Sequence, residues 1–144
     1  MRTQLTNSPR KWIPTRIESW ASSGFPDLFL CDDHGHFHTV ELKHTFTNRV
    51  DLSPHQVSFH VAHKHASSWI LIKREWAKKK GSIIYLYHAS HSVDVKMEGL
   101  ETEPARSWEN LTDWTPLLDY ISPPDGSKNA FLIGMDNEQI KPTD

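Results

Sequence analysis

The chain has 144 residues, of which 37% are hydrophobic and 24% charged, and its formal net charge is −2. That length supports one core but not two, and no apolar run approaches the roughly 18 residues of a membrane helix. Near-neutral charge excludes a protein that coats nucleic acid by charge alone, although the first hundred residues are mildly basic and residues 101–144 are acidic, which is compatible with one nucleic-acid-facing surface.

The N-terminal "MRTQLTNSPRKW" has no apolar h-region, so no secretory leader is expected, and it reads as an arm. "IPTRIESWASSG" predicts a short helix: Pro14 suits its first turn, Ile17, Trp20 and Ala21 recur at helical spacing, and Gly24 ends it. "PDLFLC" and "HFHTVELK" read as two strands closed by the turn "DDHG". A second helix opens at "SPHQ", with Ser53 as N-cap, Pro54 at N1 and Gln56 at N3, the capping-box pattern. "SSWILIK" and "SIIYLYH" are two further strands, separated by the basic turn "REWAKKKG". Beyond residue 100 the chain is expected to be irregular and Pro-rich, with one short helix at "TPLLDYI". The order predicts a mixed α/β architecture with the sheet at its centre, folded as a single domain over residues 1–144. Its core runs from about 14 to 90, and 91–144 form a C-terminal extension without an assigned role. The lone cysteine, Cys31, lies in an apolar strand and reads as a small core residue; a cytoplasmic protein is expected, in a host cell if the source is viral.

The hairpin raises the chemical question. Side chains alternate along a strand, so Glu41 and Lys43 project to one side, and closure around "DDHG" brings Asp27 opposite Val40–Glu41. Opposed Cβ atoms on paired strands lie about 5 Å apart, and two carboxylates at that distance resist ionising together. A divalent cation removes the conflict; Mg²⁺ takes carboxylate oxygens alongside waters and substrate phosphate. Lys43 would then orient the attacking water and offset charge developing on phosphorus. Alone, an E-x-K on a strand is usually a salt-bridged surface; the weight here comes from its conjunction with a Gly-x-Pro-Asp turn and a hairpin of matching length.

The stretch "GFPDLFLCDDHGHFHTVELK", with the following "SPHQ", resembles the PD-(D/E)XK nuclease superfamily, in particular its VRR-NUC and Holliday-junction-resolvase-like branch. The likeness spans residues 14–73. It implies a restriction-endonuclease-like core in the order αβ(β)βαβ, with a central mixed β-sheet flanked by helices. It further implies Asp27, Glu41 and the Leu42 carbonyl as Mg²⁺ ligands, with Mn²⁺ able to substitute, Glu18 as an outer ligand through water, Lys43 as the catalytic lysine and Gln56 as a site-facing helper. Relatives with this core often act as homodimers, so a dimer is the expected assembly.

Other residues carry weaker signals. Gln56 is equally well explained as a helix cap, and Glu18 as a solvated helix face. Arg49 stands in a loop, as a phosphate contact or a plain surface arginine. Lys73, Arg74, Lys78, Lys79 and Lys80, with Trp76 among them, form a cluster suited to gripping phosphates, or else a solvated loop that discourages edge pairing. The ten histidines lie between His34 and His91 without the convergent spacing of a zinc site; His44 and His60 are the candidates to assist at the hairpin. The expected activity is Mg²⁺-dependent hydrolysis of DNA phosphodiesters leaving a 5′-phosphate, directed at branched or flapped structures. The alternatives are a non-catalytic module binding nucleic acid or protein on the same fold, and a sequence-specific restriction-type enzyme.

Overall fold

The structure is a computed structural model that describes residues 8–17, 24–129 and 131–132. Six strands, β1 (Ile13–Arg16), β2 (Leu28–Cys31), β3 (Phe37–Thr45), β4 (Ser68–Trp76), β5 (Lys79–His88) and β6 (Arg106–Glu109), form one mixed sheet in chain order. Neighbours run antiparallel except β3 and β4, which pair in parallel from Thr39↔Ser68 to Thr45↔Arg74. A parallel pair needs a crossover, and α1 (Pro54–Ala62) supplies it. Two more helices, α2 (Ser92–Glu98) and α3 (Thr115–Ile121), complete an α/β fold whose central sheet is flanked by helices.

Strand β4 reads Ser-Trp-Ile-Leu-Ile, apolar without alternation, as expected of a strand covered on both faces. Trp69 and Leu71 pack with Val40, Leu86 and the α3 residues Leu117, Leu118 and Ile121. Ile70 and Ile72 point the other way and pack with Val50, Leu52, Tyr87 and Val95 of α2. Val40 belongs to the α3 face, so strand alternation puts Glu41 and Lys43 on the face covered by α1 and α2.

The first expected helix is replaced at its start. Ile13–Arg16 pairs with β2 in the register Ile13↔Cys31 to Arg16↔Leu28. Ile13 and Thr15 are β-branched, and Pro14, which lacks a donor, is tolerated because β1 is an edge strand. Residues 18–23 lie outside the described residues, and Glu18 with them. The expected arm is docked over its described part: Trp12 is buried, and the buried Arg10 donates to Asp33 and Asp119. Beyond residue 90, "TPLLDYI" is α3, and the structure adds α2 and the four-residue β6, which pairs with β5. The basic "turn" is mostly strand, since β4 runs to Trp76 and β5 starts at Lys79.

One polar cluster fastens the hairpin turn to its surroundings. The Asp32 carboxylate accepts the backbone N–H groups of His34 and His36, the Ser122 hydroxyl at 2.6 Å and His38 Nε2–H at 2.8 Å. Burial works to raise the Asp32 pKa, but the Ser122, His38 and backbone hydrogen bonds outweigh it and hold the acid below the ordinary carboxylate range. With Nε2 donating, His38 Nδ1 accepts from the Ser67 hydroxyl at 2.6 Å, and Ser67 Oγ itself accepts from Trp69 Nε1–H at 2.9 Å.

Candidate active site

The last β2–β3 pair is Leu28↔Val40, so the next step along the ladder sets Asp27 against Glu41. Asp27 then does what a ladder carbonyl would do: its Oδ2 accepts the Leu42 backbone N–H at 2.9 Å. Glu41 is 2% exposed. Its Oε1 accepts Gln56 Nε2–H at 2.9 Å, while Oε2 is buried without a partner among the described residues. Burial first, then the charge and hydrogen bonding of the adjacent Asp27, push the Glu41 carboxyl up to about 8, against the opposing pull of Lys43. A group raised by burial beside a like charge marks a place where the fold sacrifices local electrostatics.

Gln56 both closes the helix cap and touches Glu41. Its Oε1 accepts the Ser53 N–H at 3.0 Å while its own N–H donates to Ser53 Oγ at 3.1 Å, closing the capping box, and its Nε2 holds Glu41. The cap therefore fixes the amide that orients the acid. Gly24 sets the distance between the hairpin entry and α1. It has φ +86°, and a Cβ there would lie 2.3 Å from the His55 carbonyl oxygen. Only glycine accommodates both the conformation and the contact.

Asp27, Glu41, Lys43 and Gln56 thus share one side of the sheet, with the Leu42 backbone between the acids. No group of three or more His, Cys, Asp and Glu residues able to hold a metal occurs among the described residues. Two carboxylates with an uncommitted buried oxygen nevertheless fit an ion such as Mg²⁺, which completes its shell with water and phosphate. Lys43 and Arg49 line a shared cavity of about 270 Å³, and Asp27 lines another of about 230 Å³ with Arg16, Leu28 and Leu42.

The basic cluster divides by strand alternation. Arg74 pairs with Thr45 on the Glu41 face, about 13 Å along β4 from Ile70, the partner of Glu41. Its guanidinium lies over Trp76 at 4.5 Å, and Lys79 Nζ lies 5.3 Å from the same ring. Lys78, in the β4–β5 turn, and Lys80, near the start of β5, are exposed. Lys73 projects to the opposite face, 3.8 Å from Glu75. His44 also turns away from Lys43 and bonds Glu75 at 2.6 Å. His60 is fully buried, with neither ring nitrogen partnered among the described residues; burial, then His63, His88 and Lys43, lower its pKa to about 4.

A larger cavity, about 390 Å³, lies elsewhere, lined in part by His36, His38, Ser67 and Asn129. Sequence reasoning missed the Asp32–His38–Ser67 cluster beneath it; alternation along "HFHTV" places His38 on the Val40 face and was the available signal. Ser67 is engaged by both His38 and Trp69, which gives this cluster a structural role. No protein-family model matches the chain, and no curated protein is significantly similar to it.

Proposed function

We propose that the chain is a divalent-metal-dependent nuclease that hydrolyses DNA phosphodiesters at Asp27, Glu41 and Lys43, resolvase-like in preferring branched or flapped substrates. The observation that carries this reading is Glu41: a carboxylate almost wholly buried, raised to about 8 by burial and Asp27, with one oxygen left unpartnered. A divalent cation bound between the two acids would offset their repulsion and let Glu41 ionise. Asp27, Glu41 Oε2 and the Leu42 carbonyl would hold the ion; when bound, it supplies Lewis-acid activation of the phosphoryl oxygen and of water.

The residues of the chain do the rest. Leu42 N–H and Gln56 Nε2–H fix one oxygen of each acid, which leaves the second oxygen of each without those two donors. The Lys43 ammonium, two residues from Glu41 on the same face, would neutralise charge building on the non-bridging oxygens. Water adds to phosphorus, the bond to the 3′-oxygen breaks with that oxygen taking up a proton, and a 5′-phosphate and 3′-hydroxyl remain. Arg49, in the loop before α1, would hold a neighbouring phosphate, as would Arg74 on release from the Glu75 carbonyl, and a homodimer would present two such sites to paired strands.

The test is cleavage of branched, flapped, single-stranded and duplex DNA in Mg²⁺ or Mn²⁺. Glu41→Ala and Lys43→Ala should each lower the rate by about a hundredfold or more. Equal cleavage by wild type and both variants would assign the activity to a contaminant, and binding without cleavage would leave a nucleic-acid-binding module.

A further inference from the structure

We infer that an aromatic ledge beside the two acids binds unpaired nucleobases, so that the site takes single-stranded DNA segments in preference to continuous duplex. The ledge consists of Phe25, Phe59 and His63. The rings of Phe25 and Phe59 are 5.1 Å apart, and Phe59 stacks on His63 at 4.0 Å with an interplanar angle of 19°. Phe25 is 37% exposed, and His63 is exposed at the end of α1. Isolated exposed apolar residues need no explanation, but contiguous rings bordering a polar site do.

Three observations fix the occupant. First, the ledge is rigidly registered to the acids. Phe25 stands between Gly24, whose backbone meets the His55 carbonyl, and Pro26–Asp27, and Phe59 lies one turn along α1 from Gln56, which holds Glu41. Second, the surroundings suit an anionic strand. From Leu52 to Arg74 the chain contains no acidic residue, and the exposed Lys64 directly follows His63 of the ledge. Third, the chemistry of rings next to phosphate-binding groups selects bases: every base has a π-face, but in duplex DNA those faces are already stacked on their neighbours, so only unpaired bases can use the ledge.

This inference takes its geometry from the nucleolytic reading of Asp27 and Glu41, but it is tested by binding alone. Fluorescence anisotropy in EDTA would compare labelled single-stranded DNA, blunt duplex and single-stranded RNA of equal length. Proteins would be the full chain, Phe59→Ala, Phe59→Leu and Phe25→Ala, each checked by circular dichroism. Phe59→Leu keeps an apolar side chain and so separates stacking from folding. Phe59→Ala and Phe59→Leu should weaken single-stranded DNA binding about tenfold while changing duplex binding less than twofold, and 2-aminopurine in the strand should be quenched by wild type only. Equal losses on strand and duplex, no loss on either, or a loss confined to RNA would overturn the ledge. Cleavage assays fail separately: a protein that cuts nothing yet loses strand binding through Phe59 keeps the ledge and loses the nuclease.

Discussion

Glu41 sets the behaviour of the molecule at the scale of single residues. Its carboxyl titrates near 8 in the fold, against about 4.5 in the unfolded chain. The folded state therefore binds more protons than the unfolded state between those values. In the absence of divalent cations the Glu41 contribution is fully present below pH 4.5 and is lost as pH rises through about 8, at up to about 1.4 kcal/mol per pH unit. Urea titrations in EDTA from pH 5 to 9 should show this decline, and Glu41→Gln should flatten it; parallel wild-type and variant curves would refute the assignment. A bound cation needs the ionised acid, so added Mg²⁺ should raise the Tm of the wild type more at pH 8 than at pH 6. At this scale the sequence was informative where strand alternation applies: Asp27, Glu41 and Lys43 were readable because two strands and a turn determine which side chains meet. Gln56 was readable only as a choice between cap and site, because nothing in a linear pattern shows that the two ends of one amide serve both. His44 and Lys73 point away for the same alternation that brings Lys43 in, a check available along each strand but obscured by reading "KREWAKKK" as a loop.

Among the elements, α1 and the hairpin entry act as a pair. The capping box holds the first turn of α1, and the Gly24 backbone rests on that turn, at a distance that excludes a side chain. Gly24→Ala should therefore separate the Asp27 segment from Gln56. The expected result is a stability loss of about 1–2 kcal/mol from the positive φ alone. Cleavage should fall further than stability does, which is measurable by comparing Tm with activity below the unfolding transition. A variant with wild-type rates would show that the close contact is incidental. The hairpin and α1 were legible because turn residues and caps are local signals. β1 was not: Pro14 followed by Ile17 and Trp20 fits a helix start as well as it fits an edge strand, and pairing with β2, a tertiary contact, decides the outcome for Ile13–Arg16. β6 has only four residues, too few for alternation to register.

Across the whole molecule, the sheet separates two surfaces with different duties. One face, under α3, is closed by a large apolar cluster and pinned by Arg10 and the Asp32 hydrogen bonds. The other carries the acids, Lys43 and Arg74. If DNA follows that face, log-log plots of affinity against salt should lose about one unit of slope for Arg49→Ala and for Arg74→Ala, whereas Lys73→Ala, on the far face, should leave the slope unchanged. Equal effects from all three would mean that the strand path does not follow the sheet.

The parallel seam between β3 and β4 has a kinetic corollary. The β2–β3 and β4–β5 hairpins each join neighbours in sequence, whereas β3 and β4 meet only after the 22-residue excursion through α1 that separates Thr45 from Ser68. Contacts between distant parts of a chain form late. Refolding should thus pass through a stage rich in β-structure but with Glu41 still wet, and competence to bind a cation should return after the strand signal has recovered.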